Sequence, residues 1–205
     1  MQKIIPRIKN ALQNPLPGPD AQYRMSHVLR RSYKAPPQEH KKAAVLLLLY
    51  PKNGEAHIVL TERASHHKDS HSGQMSFPGG RKEETDKNLQ ETALREAEEE
   101  IGVNKSELIV LGSLSHLYIP VSNFLVQPVL AYSENELNFA PEPTEVKEVV
   151  EAPMRLILDE KTKMKTNIKI SERMTLKDVP YFNVHGKIVW GATAMMLNEL
   201  VEMLQ

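Results

Sequence analysis

Residues 93–102 read ALREAEEEIG and place Glu96, Glu98, Glu99 and Glu100 in two turns of an expected helix. At about 100° per residue, Glu96, Glu99 and Glu100 share one flank of an apolar stripe made by Leu89, Ala93, Ala97 and Ile101, with Leu94 at its border. Glu98 falls elsewhere, near Glu91 and Arg95. This crowding has a cost. Like charges three or four residues apart destabilise a helix by about 0.2–0.5 kcal/mol per pair. Exposed carboxylates in the last turn oppose the helix dipole by about 0.3–1 kcal/mol each. Arg95 can relieve Glu91, Glu98 or Glu99, but not all of them. Two readings account for the cluster. One is a solvated acidic face. The other is a set of oxygen ligands for a hard divalent cation such as Mg²⁺, which keeps waters and substrate phosphates in its shell and turns bound water toward hydroxide.

Upstream, Pro78-Gly79-Gly80 is a Pro-led tight turn with two residues free to take positive φ. Its amides and carbonyls can approach a metal or a phosphate closely. The turn alone is weak evidence; followed by a loop and then REAEEEIG it is much stronger. His66, His67 and His71 lie within six residues and read either as a metal cluster or as an ordinary polar loop.

The elements that must hold these groups follow from pattern. AAVLLLLYP (43–51) is a short apolar run that reads as a buried strand ended by Pro51, and AHIVLTER (56–63) as its hairpin partner across PKNGE. The acidic helix is expected from about Asn88 to Ile101, with Asn88 and Glu91 as a capping box and Gly102 as a left-handed stop. ELIVLGSL (107–114) and FLVQPVLAY (124–132) read as strands, and 144–158 as a strand passing into a helix around Pro153. KIVWG (187–191) is an expected strand and 192–205 a terminal helix, with Met195, Met196 and Met203 in its core stripe and Trp190 as packing at its base. Residues 4–13 suit a short amphipathic helix, and NPLPGPDAQ (14–22) breaks any regular element. The basic stretch 24–42 is either a solvated segment or an arm that helps hold an anionic substrate. The order of elements suggests a mixed sheet flanked by helices.

The 205 residues favour one domain, here divided into an N-terminal extension (1–42) packed on a main domain (43–205). Hydrophobic and charged fractions of 40% and 25% describe an ordinary globular chain rather than a disordered one. Lys plus Arg balances Asp plus Glu, so no global field draws the chain to nucleic acid or an anionic membrane. The absence of cysteine excludes thiolate catalysis, disulfides and Cys-type zinc sites within these residues. The N-terminus shows no signal-peptide core, and a cytoplasmic setting is expected.

With these residues in place, the chain resembles the Nudix hydrolases, whose box reads G-x5-E-x7-R-E-U-x-E-E-x-G-U. Arg95 to Val103 meet its second half, with Ala97 a small choice at the first aliphatic position. The first half departs from it. Counting from Gly80, Asp86 stands at the glutamate position, and eight residues rather than seven separate it from Arg95. Within the family the longer loop resembles the coenzyme A pyrophosphatase branch. The branch pattern is also approached by Val59-Leu60-Thr61-Glu62-Arg63-Ala64, Lys68, HSGQMSFPGG (71–80) and TALREAEEEIG (92–102).

The resemblance implies an α/β/α sandwich with a mixed sheet and the acidic helix at the catalytic edge. It implies Mg²⁺- or Mn²⁺-dependent hydrolysis of coenzyme A or an acyl-CoA to 3′,5′-ADP and 4′-phosphopantetheine or its acyl form. By the same analogy Glu96, Glu99 and Glu100 bind metal, and Glu96 or a later acid acts as base. Arg95 orients Glu99 or Glu100, and a carbonyl of Gly79 or Gly80 completes the metal shell. Arg63, Lys68 and Arg81 flank the diphosphate, and Glu142, Glu145 and Glu148 are candidates for a later-loop carboxylate. The expected partner is a small molecule, with neither nucleic acid nor membrane involved and a homodimer left open. A nucleotide sugar, a dinucleoside polyphosphate or an oxidised nucleotide is the alternative substrate. A non-catalytic nucleotide sensor on the same fold is the alternative of another class, and retention of Glu96, Glu99 and Glu100 argues against it.

Overall fold

The computed structural model describes residues 1, 3–28, 35–64, 73–172 and 174–205. Its centre is β1 (Lys41–Lys52), which contains the apolar run. Successive strand residues face opposite sides, and here both sides are covered. Leu47 and Leu49 join an apolar cluster with α1 (Ile4–Ala11) and α5 (Gly191–Met203). Ala44, Leu46, Leu48 and Tyr50 join a second cluster with Ala93, Ala97 and Ile101 of α3 (Leu89–Ile101). A strand buried on both faces has no polar alternation, which is why AAVLLLLY is apolar throughout. Pro51 does not end the strand as expected. It pairs with Ala56 inside the β1–β2 hairpin, β2 being Glu55–Arg63.

The main sheet has eight strands and is mixed. Its path runs β3 (Met75–Ser76), β2, β1, β7 (Phe124–Tyr132), β5 (Ile109–Ser113). The β1–β7 pair is parallel over nine residues, from Lys41 opposite Phe124 to Leu49 opposite Tyr132. On its other edge β1 changes partner. Its C-terminal part pairs with β2 and its N-terminal part with β4 (Gly79–Arg81), and Leu46 N donates to Pro78 O between them. β6 (Leu117–Ile119) adds to β7, and β8 (Val146–Pro153) adds to β2 before passing into the short α4 (Met154–Ile157). The sheet lies between α3 on one face and α1 with α5 on the other, giving the expected α/β/α arrangement.

Two features were not expected from the sequence. Residues 18–24 form a helix, α2 (Gly18–Arg24), inside the segment read as irregular. Pro17 and Pro19 sit at the start of it, where a missing N–H costs nothing. A second sheet follows α4, made of β9 (Lys163–Ser171), β10 (Met174–Val184) and β11 (Lys187–Trp190). Its Phe182, Val184 and Val189 close the core beside α5. The expected core stripe of the last helix holds, since Met195 and Met196 are buried and Met203 packs against the same cluster. Ile4, Ile5, Ile8 and Met25 of the first 42 residues belong to that cluster too. No helix among the described residues is long and apolar enough to cross a membrane.

Candidate active site

α3 is held at both ends by the expected residues. The Asn88 side chain accepts from Glu91 N at 2.9 Å, and Gly102 stops the helix with φ 70°. The return bond of the capping box is shifted by one residue, since the Glu91 carboxylate accepts from Lys87 N at 2.8 Å instead of from Asn88. Beyond Gly102 the chain returns to cap the helix end. Ala140 N donates to Ile101 O and Glu142 N to Glu100 O, so the 140–146 segment is tied to the acidic turn.

The acids separate into distinct environments. Glu100 is buried at 5% exposure and accepts from Gly79 N at 3.1 Å. Glu96 lies against Gly80 so closely that a Cβ there would collide with its carboxylate. Gly79 is equally confined, with φ 153° and no room for a Cβ beside Ala44 and Val45 of β1. The glycine pair therefore lets β4 lie flat between β1 and the acidic face of α3. Glu99 is on the exposed side, bonded to Arg95 Nη1 at 2.9 Å. Glu98 is removed from the group by Lys105 at 2.7 Å rather than by Arg95.

Arg95 is the organiser of this face. It bonds Asp86 through Nε at 2.9 Å and Nη2 at 3.1 Å, Glu96 at 2.9 Å, Glu99 at 2.9 Å, and the Arg81 carbonyl at 3.2 Å. It orients Glu96 and Glu99, whereas Glu100 takes its position from the Gly79 amide. Asp86 is buried and also accepts from Thr92 Oγ1 and Glu83 N, both at 2.9 Å. The Arg95 hydrogen bonds hold its carboxyl far below the usual carboxylate range, against the effect of burial.

Electrostatics in the acidic face run the other way. Burial pushes the Glu100 carboxyl up to about 7, with the charges of Glu96 and Glu145 adding to it and the Gly79 amide opposing it. Burial also raises Glu96, against the lowering effect of Arg95, with Glu99 and Glu145 adding to the rise. These carboxylates raise one another on the acidic face of α3, a penalty that a bound divalent cation would relieve. Among the described residues no three acidic or histidine side chains already stand at metal-holding spacing. Mg²⁺ commonly takes one or two carboxylates, with waters and substrate phosphates filling its octahedron. The Glu96 and Glu100 carboxylates fit that donor set.

The structure separates the three later acids that sequence alone leaves equal. Glu148 is committed to Lys187 at 2.7 Å, and Glu142 accepts from Thr144. The charge of Glu145 reaches both Glu96 and Glu100. Arg63, the last residue of β2, also acts on Glu100, and its charge favours the carboxylate. Arg81 is exposed on β4. Lys68, His66, His67 and His71 lie outside the described residues.

This arrangement of glycine turn and acidic helix has relatives. A family model for the NUDIX domain matches residues 40–173. The chain belongs to the Nudix family. It is 36% identical over 165 residues to "Nudix hydrolase 15, mitochondrial" of Arabidopsis thaliana, a match covering 77% of this chain and 56% of that protein. The chain thus spans about half the length of that plant relative. It is 31% identical over 166 residues to the Nudix hydrolase NudL of Photorhabdus laumondii, covering 81% of this chain and 86% of the other. Among solved structures, the Nudix hydrolase RenU from M. smegmatis shares the fold with a TM-score of 0.54 at 20% identity, over 80% of this chain and 84% of that one.

Of the two residues that the box count leaves open, Asp86 is buried on Arg95, while Lys87 is exposed. Sequence reading missed Thr92 as a partner of Asp86, although the residue is fully buried. A polar residue one turn before Arg95 and six after Asp86 was the available signal.

Proposed function

We propose that the chain is a divalent-metal-dependent pyrophosphohydrolase acting on coenzyme A or acyl-CoA. The observation that carries hydrolysis is the buried Glu100 carboxylate on the Gly79 amide, with Glu96 pressed against Gly80 beside it. What supports the coenzyme A branch is the sequence from Val59 to Gly102, above all HSGQMSFPGG and TALREAEEEIG with the longer loop between them. Membership of the Nudix family supports a small nucleoside-diphosphate derivative as substrate.

Glu96 and Glu100 would hold Mg²⁺ or Mn²⁺, with Glu99 as a further carboxylate from the exposed side. When bound, the cation offsets the diphosphate charge and lowers the pKa of attacking water. Arg95 fixes Glu96 and Glu99, and Asp86 fixes Arg95. Arg63, Lys68 and Arg81 contact phosphate oxygens as fixed positive charges. Glu96 or a later acid accepts the proton of the attacking water, and Glu145 is the later acid whose charge acts on both Glu96 and Glu100.

The test is a product assay with coenzyme A, an acyl-CoA, a nucleotide sugar and a dinucleoside polyphosphate, each with Mg²⁺ and with Mn²⁺. 3′,5′-ADP and 4′-phosphopantetheine are expected from coenzyme A. Turnover of another substrate without any 3′,5′-ADP would reject the branch and keep the hydrolase. Ligand binding with no turnover of any substrate would favour the sensor.

A further inference from the structure

The last turn of an α-helix leaves carbonyls without partners inside the helix. For α3 a distant stretch of chain supplies two of the donors. Ala140 N donates to Ile101 O at 3.0 Å, and Glu142 N to Glu100 O at 2.9 Å. The sequence there is Ala140-Pro141-Glu142-Pro143. Proline has no N–H and a fixed φ, so the two missing donors alternate with the two that α3 uses. The prolines cost no bond to the helix, and they reduce the freedom that the stretch loses on folding.

Both ends of the stretch are anchored. Phe139 packs edge-on against Tyr50, with ring centres 5.4 Å apart. After Pro143 the chain turns, with Glu145 N and Val146 N on Glu142 O at 3.0 and 2.8 Å, and Glu145 O accepts from Ala64 N at 2.8 Å. The fit against α3 is close: a Cβ on Gly102 would stand 2.7 Å from Ala140 O. Glu100 is therefore gripped twice, by Glu142 N on its backbone carbonyl and by Gly79 N on its side chain at 3.1 Å. We propose that residues 140–146 form a strap that positions Glu100, with Glu142 as a positioning residue that acts through its N–H. The Glu142 carboxylate is turned elsewhere, accepting from Thr144 N and Oγ1 at 3.3 and 3.0 Å. The effect on metal binding rests on the proposed hydrolase function; the hold on Glu100 does not.

Two readouts test it, in Glu142→Pro, which lacks the N–H, and in Glu142→Gln, which keeps it. The first needs neither metal nor substrate. The Gly79 amide NMR signal reports where the Glu100 carboxylate sits. It is expected to shift, and the amide to exchange faster with solvent, in Glu142→Pro but not in Glu142→Gln. Pro141→Gly combined with Pro143→Gly loosens the strap and keeps its donors, and is expected to move the signal the same way by less. The second readout is Mn²⁺ affinity, measured well below the melting temperature. Glu142→Pro is expected to bind at least about tenfold more weakly, as loss of a group that orients a metal ligand does, with Glu142→Gln close to wild type. In a Glu100→Gln background, Glu142→Pro is expected to cost less than about twofold, because residues acting as a unit are not additive. An unchanged Gly79 signal in Glu142→Pro overturns the inference; if that variant does not fold, an unchanged signal in the glycine double variant does so. Equal losses of Mn²⁺ affinity in Glu142→Pro and Glu142→Gln would assign the effect to the carboxylate and overturn it too. A moved Gly79 signal in a protein whose wild type binds no Mn²⁺ keeps the strap and rejects the cation.

Discussion

At the scale of single residues, the site depends on space as much as on charge. Gly80 has no room for a Cβ because the Glu96 carboxylate occupies that space. Gly80→Ala must displace Glu96, and misplacement of a reacting group by about 1 Å can cost up to about a hundredfold in rate. Turnover is expected to fall at least about tenfold while the melting temperature changes little; a fully active alanine variant would contradict the placement of Glu96. Asp86 acts through charge. It is almost wholly buried on Arg95, so Asp86→Asn removes the buried partner of Arg95 and leaves it to Glu96 and Glu99, at a cost of about 3 kcal/mol in urea unfolding at pH 7. The pH dependence follows from the depressed Asp86 pKa. Its contribution is complete above the unfolded value near pH 4 and is lost as pH falls below that. The stability gap between wild type and Asp86→Asn is therefore expected to narrow from pH 7 to pH 3. A gap that widens would reverse the sign.

At the scale of elements, what could be read depended on how completely a segment expresses its own burial. β1 is covered on both faces and is apolar throughout, and α3 carries its cap, stripe and stop in fifteen consecutive residues. Both were legible, and so was the acidic cluster that α3 presents. The roles within that cluster were less so. Helical angles grouped Glu99 with Glu96 and Glu100, but Arg95 draws Glu99 outward while the glycine turn retains the other two. That division depends on β4, a three-residue strand with no pattern of its own. The β9–β10 hairpin was not read because β9 buries none of its nine residues. Met164, Ile168 and Ile170 do alternate with polar residues, but no buried face marks that alternation as a strand. The N-cap gives the element-scale prediction: Asn88→Ala removes the bond to Glu91 N and is expected to cost about 1 kcal/mol. Calorimetric melting checks it, and a variant as stable as wild type would mean that the shifted Glu91–Lys87 bond suffices.

At the scale of the whole molecule, one buried glutamate joins parts that the sequence keeps far apart. Glu199 of α5 is fully buried and accepts from Gly18 N at 3.2 Å, Gln22 Nε2 at 2.7 Å and Ser115 N at 3.1 Å. This explains why α2 was illegible: its buried Gln22 is polar, and its partner lies 177 positions away. Glu199→Met strands three donors and is expected to cost about 3 kcal/mol, read by urea unfolding; a loss under about 1 kcal/mol would show that water replaces the carboxylate. The same molecule-wide packing brings α3, the glycine turn and the 140–146 return segment together, and on that convergence rests the proposed cation. The most direct test is Mn²⁺ binding followed by electron paramagnetic resonance in wild type and in Glu100→Gln. Wild type is expected to bind Mn²⁺, and the variant to bind at least about tenfold more weakly, as loss of a charged ligand requires. Equal Mn²⁺ affinity in the two proteins would contradict the account.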